Sequence, residues 1–151
     1  MILSYPAKIK YLSEDKTYLV EFPDLPGCLT EGTTLEEAKQ NAREALTGYL
    51  ASVFDRTLKI PDPSDIKGKH VYHIEPEPEV AVPILIKKLR ETRKLTQGDI
   101  AKVLGISYQA YQRLEKPGKS NPTIKTLERL ARVFDKDLRL EIGRASCRER
   151  V

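Results

Sequence analysis

Residues Leu95 to Leu114 read L-T-Q-G-D-I-A-K-V-L-G-I-S-Y-Q-A-Y-Q-R-L. The stretch predicts two short helices joined by a tight turn. Thr96 is placed to cap the first helix, with Asp99 three residues on as the capping-box acid. Ile100, Ala101 and Leu104 recur at helical spacing and mark its inner face. Gly105 stands where a left-handed residue ends a helix. Ser107 caps the second helix, whose inner stripe is Ala110, Tyr111 and Leu114. A helix, a Gly-containing turn and a second capped helix make a helix-turn-helix.

Outward from this pair, Ile84, Leu85, Lys88 and Leu89 recur at helical spacing on the N-terminal side. Toward the C-terminus, K-P-G-K-S-N-P at residues 116–122 is a loop. Thr123 to Phe134 predicts a further helix with Ile124, Leu127, Leu130, Ala131 and Phe134 turned inward. D-K-D-L-R-L-E-I, residues 135–142, then alternates Leu138, Leu140 and Ile142, which is a strand pattern. One apolar-faced strand alone is unstable, so these three residues are expected to pair with the same strand of a second copy. Residues 143–151, G-R-A-S-C-R-E-R-V, show no periodicity and read as a non-native tail.

The first half of the chain follows another pattern. Tyr5, Ala7, Ile9 and Tyr11 alternate with polar residues, which predicts a strand over residues 2–11. After the polar S-E-D-K turn, Thr17 to Phe22 alternates again and completes a hairpin. F-P-D-L-P-G forces an irregular bend, and Cys28 to Gly32 is a third short strand. Thr34 opens a long helix with a capping box to Glu37. Its stripe is Leu35, Ala38, Ala42, Ala45, Leu46, Tyr49 and Val53, and Gly48 inside it points to close approach of another backbone. His70 to Ile74 is a fourth strand. Residues 76–83 lie in the run E-P-E-P-E-V-A-V-P and are expected to form an extended, semi-rigid linker. The expected architecture is an α+β domain over residues 1–75, β-β-β-α-β. An all-α helix-turn-helix domain with a short terminal strand follows over residues 84–142.

Charge divides the chain at the same place. Residues 1–80 carry 9 Lys/Arg against 14 Asp/Glu, a net of −5; residues 81–151 carry 17 against 8, a net of +9. The split suggests two modules with different partners, and the basic one suits a phosphate backbone. No apolar run approaches the ~18 residues of a membrane span, no secretory leader is legible, and Cys28 and Cys147 form no disulfide framework. The cytoplasm is the expected compartment. Enzyme chemistry is not indicated. His70 and His73 fall on opposite faces of a strand, and no phosphate loop, nucleophile elbow or metal-ligand spacing occurs. Neither a metal nor a cofactor is expected.

The pattern T-Q-x-D-I-A-x-x-L-G-I-S, then L-E, then N-P-T-I-K-T-L-E-R-L-A, resembles the lambda-repressor-like (XRE-type) helix-turn-helix family across Ile84 to Phe134. The resemblance implies that Gln97 binds phosphate. It also implies that Ser107, Tyr108, Gln109, Gln112 and Arg113, at the outward start of the recognition helix, meet bases. The chemistry agrees, since Gln pairs bidentately with adenine and Arg with guanine. Lys119, Ser120 and Asn121 in the following loop are placed for phosphate. Tyr111 departs from the smaller aliphatic residue usual in that family.

F-P-D-L-P-G-C, followed by T-x-x-E-A-x-x-N-A-x-x-A-L, resembles the HicB antitoxin family over roughly residues 3–75. The resemblance implies a reduced ribonuclease-H-like fold and a small basic mRNA-cleaving toxin, HicA, as partner. It also implies repression of the protein's own operon through a C-terminal DNA-binding domain, acting as a homodimer or higher homo-oligomer. Asp24 and Glu31 are the toxin-facing candidates, chosen by charge and exposure. The alternative is a ligand-responsive repressor whose first domain senses a small molecule.

Overall fold

Alternation in the first strands sets the N-terminal unit. In the computed structural model, which describes residues 1–143, β1 (Tyr5–Leu12) pairs antiparallel with both β2 (Thr17–Glu21) and β4 (Val71–Ile74). β3 (Leu29–Gly32) pairs antiparallel with β2, so the sheet order is β3-β2-β1-β4. The register sets Ile9 opposite Val20, Tyr11 opposite Tyr18 and Tyr5 opposite Ile74. Residues directly opposite share a face, so Tyr5, Ala7, Ile9 and Val20 collect on one side, where all four are buried. Against the sheet lies α1 (Leu35–Asp55), whose buried stripe is Ala38, Ala42, Leu46 and Leu50.

The close backbone approach is at Gly32, not at Gly48. A Cβ on Gly32 would stand 2.4 Å from the Ala38 nitrogen, whereas one on Gly48 would meet nothing within 4 Å. Gly48 is two residues from Leu46 and from Leu50, which turns it about 160–200° away from the buried stripe. At the head of α1, the Thr34 hydroxyl accepts from the Glu37 N–H at 3.1 Å as expected. The Glu37 carboxylate, however, takes the Thr33 N–H at 2.7 Å, one residue before the cap.

The F-P-D-L-P-G-C stretch is a packed turn rather than a loose bend. Leu25 N–H donates to Phe22 O and Cys28 N–H to Leu25 O, with Gly27 at φ +84°. The turn drives Phe22, Leu25 and Cys28 into the core. The long connection from α1 to β4 is held at Pro61, whose carbonyl accepts from Tyr5 Oη at 2.7 Å, and at Ser64. His70 takes φ +81°, so the last strand starts at Val71, one residue later than expected.

Pro78 begins the second unit, residues 78–142. Here the expected extended linker is corrected, because residues 78–83 are helical, the start of α2 (Pro78–Thr92). Pro78 occupies the first helical position, where a missing N–H costs nothing. Pro83 lies inside the helix and has no N–H to give the Glu79 carbonyl. That carbonyl accepts instead from Gly118 N–H at 3.1 Å, so the loop after the recognition helix supplies the lost bond.

The helices α3 (Gln97–Leu104), α4 (Tyr108–Leu114) and α5 (Ile124–Val133) complete the unit. Their core is Ile86, Ile100, Ala101, Leu104, Tyr111, Leu114, Leu130 and Phe134. Two expected inner residues are outside. Ala110 is exposed, and Ile124 is 64 % exposed at the first position of α5. The strand expected over residues 135–142 is absent within the chain, since a strand needs a neighbour for its N–H and C=O groups. Beyond Gly143, the residues read as a non-native tail lie outside the described residues.

Candidate nucleic-acid interface

Local chemistry builds the helix pair as the spacing predicts. Thr96 Oγ1 accepts from Asp99 N–H at 3.1 Å and the Asp99 carboxylate accepts from Thr96 N–H at 3.0 Å, a full capping box. Gly105 sits at φ +67°; its N–H donates to Lys102 O and that of Ile106 to Ala101 O, which closes α3 as a Schellman turn. The Arg129 guanidinium donates to Leu104 O and satisfies another carbonyl at that end. Ser107 Oγ accepts from Ala110 N–H at 3.1 Å and starts α4.

The interior of the pair is organised by a charge that the sequence reading did not single out. Glu115 is only 2 % exposed and follows the last residue of α4. Its carboxylate accepts from Arg90 Nε at 2.6 Å, Arg90 Nη2 at 3.0 Å, Gln97 Nε2 at 2.9 Å and Tyr111 Oη at 2.8 Å. Burial opposes its ionisation, but the donors from Arg90, Gln97 and Tyr111 outweigh it and hold the carboxyl below the usual glutamate range. The same pair raises the Arg90 guanidinium, and burial followed by the Glu115 bond raises the Tyr111 phenol. Arg90 also donates to Leu95 O at 3.0 Å and so ties α2 to the entry of α3. A signal was present in L-E after the recognition helix, but nothing local says that the acid is buried.

This network reaches the predicted DNA face. Gln97 gives Nε2 to Glu115 and takes Tyr108 Oη on Oε1 at 3.1 Å. Its carboxamide is therefore oriented from inside, with one Nε2 hydrogen left for an outside acceptor. Tyr108 is 48 % exposed; Gln109 and Arg113 are exposed and Gln112 is half-buried. Ser107, Tyr108, Gln109, Gln112 and Arg113 thus stand off the Tyr111/Leu114 stripe, as their spacing predicts. Tyr111 is fully buried, with its hydroxyl on Glu115 rather than at a solvent rim.

In the following loop, Lys119 and Asn121 are exposed. Ser120 differs from expectation. Its hydroxyl donates to Leu114 O at 2.9 Å and its N–H to Lys116 O at 3.0 Å, so both donors shape the loop and neither is left for phosphate.

In the N-terminal unit, the two toxin-facing candidates stand apart in role. Asp24 Oδ2 accepts from Ser64 N–H at 2.8 Å and Ser64 Oγ at 3.0 Å, which pins the connection to the packed turn. Glu31 is exposed on the edge strand β3, and its carbonyl accepts from Asn41 Nδ2 at 2.8 Å. Among the described residues no group of three or more His, Cys, Asp or Glu is placed to hold a metal ion, and no helix is long and apolar enough to cross a membrane.

Comparison with known proteins agrees with both halves. Residues 5–96 match the family described as HicB_like antitoxin of bacterial toxin-antitoxin system, and residues 86–140 match a helix-turn-helix family. The chain is 32 % identical to Antitoxin HicB 1 of Photorhabdus laumondii over 112 residues, 74 % of this chain and 70 % of that one. It is 33 % identical to Antitoxin HicB of Escherichia coli K12 over 97 residues, 64 % of this chain and 70 % of that one. A solved chain titled Toxin-Antitoxin complex from Streptococcus pneumoniae matches at 19 % identity and a TM-score of 0.45, covering 68 % of this chain and 95 % of that one.

Proposed function

The chain belongs to the HicB-like antitoxin family of bacterial toxin–antitoxin systems, and on that premise we propose that it neutralises a small HicA-type mRNA-cleaving toxin and represses its own operon. The observation that carries the reading is the pairing of two units of opposite charge. An acidic α+β unit precedes a basic helix-turn-helix whose recognition helix turns Tyr108, Gln109 and Arg113 to solvent. A negative surface can occupy the face with which a basic nuclease holds RNA. Glu31 on the sheet edge is the exposed acid assigned to that contact. Asp24 acts by holding the connection through Ser64.

On DNA, the unit works as a homodimer whose recognition helices enter major-groove segments about 34 Å apart. Arg113, Gln112 and Gln109 read bases, with Ser107 and Tyr108 at the helix start. Gln97, Lys119 and Asn121 hold phosphate. Arg113→Ala is expected to relax specificity at one base position at a cost of ~1–3 kcal/mol. Lys119→Ala is expected to weaken cognate and random DNA alike and lower the salt slope by about one. Binding titrations at several salt concentrations separate the two. Co-expression with the product of the adjacent reading frame tests the antitoxin role: a small basic protein should arrest growth alone and lose its effect beside this chain. A neighbour harmless by itself would sink that role.

A further inference from the structure

Lys136 to Ile142, K-D-L-R-L-E-I, alternates like a strand but forms none within the chain. Leu140 is 65 % exposed and Ile142 fully exposed. Beside the segment runs a groove of about 580 Å³ whose lining includes Ile124, Glu128 and Arg132 of α5 together with Leu138 and Leu140. Ile124, Leu138 and Leu140 thus supply apolar surface along a groove that is otherwise lined by charged side chains. We propose that this segment pairs antiparallel with its own copy in one register only, with Leu140 opposite Leu140 across a two-fold axis. The proposal rests on the reading of residues 138–142 as a dimer-forming strand and adds the register and the groups that select it.

The charges single out that register. With Leu140 at the axis, Leu138 faces Ile142 on the apolar side, and on the other side Arg139 faces Glu141 twice over. A slip of one residue sets each leucine opposite a charged residue or Gly143 and breaks the two-sided pattern. The next slip one way centres the pair on Arg139, with Arg139 against Arg139 and Asp137 against Glu141. The equivalent slip the other way centres it on Glu141, with Glu141 against Glu141. Like charges directly opposite are destabilising, and Arg–Glu pairs are stabilising. A two-stranded ribbon is marginal by itself. Ile124, exposed beside the segment, offers further apolar surface to the Leu/Ile face of the ribbon.

The test uses the full chain carrying Cys147→Ser, which leaves the buried Cys28 as the native thiol. Directly opposed residues in antiparallel strands are about 4.5–5.5 Å apart at Cα, within disulfide reach. Leu140→Cys should therefore cross-link to itself under mild oxidation. Leu138→Cys and Ile142→Cys should each fail alone and cross-link when mixed. Self-cross-linking at Arg139→Cys or Glu141→Cys instead, or at positions 138, 140 and 142 alike as a parallel ribbon requires, overturns the register. In sedimentation, Arg139→Glu should weaken the dimer about tenfold or more, and adding Glu141→Arg should restore it. A double variant as weak as the single would remove the ion pairs from the account. An unmodified chain that stays monomeric at micromolar concentration sinks the dimer reading itself. A dimer without the Leu140 cross-link sinks only the register.

Discussion

In the N-terminal unit the buried Tyr5 hydroxyl finds one carbonyl, Pro61 O, whereas in the C-terminal unit the Glu115 carboxylate collects four hydrogen bonds from three side chains. The sheet unit closes on apolar surface: Tyr5, Ile9, Val20, Phe22, Leu25, Leu46 and Leu50 are all buried, and its polar groups serve mainly to hold a long connection. The helical unit has short elements, with α3 of 8 residues and α4 of 7. Helices of that length are unstable alone. Their mutual position depends on what lies between them, and here a buried carboxylate stands beside the apolar core. Burying an ion pair costs desolvation that its attraction at most roughly offsets. Its effect is therefore felt in where α4 and Gln97 stand more than in how tightly the unit folds.

This difference can be broken at several points, and the largest effect is expected at Glu115. Glu115→Ala leaves Arg90 beside an uncompensated buried site and should cost about 3–5 kcal/mol in the C-terminal unit, measured by chemical unfolding. The paired replacement Arg90→Met with Glu115→Leu should keep most of the stability while DNA affinity falls. Equal loss of both would contradict a positioning role. In the other unit, Gly32→Ala drives a Cβ into the backbone of α1 and should cost about 2–3 kcal/mol. An unchanged melting curve would mean that the head of α1 yields freely.

A smaller contrast concerns acid. Glu115 is held below its ordinary value of 4.5, so its contribution is present above that pH and lost as pH falls toward the folded-state value. The limiting slope is about 1.4 kcal/mol per pH unit for one proton. Glu115→Gln should flatten that part of the stability profile, whereas an unaltered profile would assign the acid loss elsewhere. Least costly is Tyr111→Phe, which removes one of Glu115's donors and should cost about 1 kcal/mol. A loss above roughly 3 kcal/mol would show that the phenol carries more than a single bond.

Much of the fold was legible because it is local. Capping residues, Gly105 and the period-two alternation of β1 and β2 act within a few residues, so spacing reveals them. The Glu-Pro run misled because proline disfavours helix in general but not at the first helical position. The second misreading, at Pro83, was invisible because Gly118 replaces the missing bond from 35 residues away. Gly48 misled for the opposite reason. An interior glycine reads as close approach, but only the rotation of α1 on the sheet decides which positions are crowded, and that position is Gly32.

The amino-acid sequence by itself determined the two units, their order, their opposite charge, the helix-turn-helix and the outward placement of Tyr108, Gln109 and Arg113 on α4. Periodicity, capping and composition need no distant partner to be read. Only the tertiary structure decided that Glu115 is interior, that Gln97 is oriented by it, that Ser120 shapes its loop, and that Asp24 holds Ser64. The Ser120 bonds span only six and four residues but follow no spacing rule, and the others join groups far apart in the chain. A donor and an acceptor 18, 25 or 40 residues apart meet only once the packing has brought them within 3 Å.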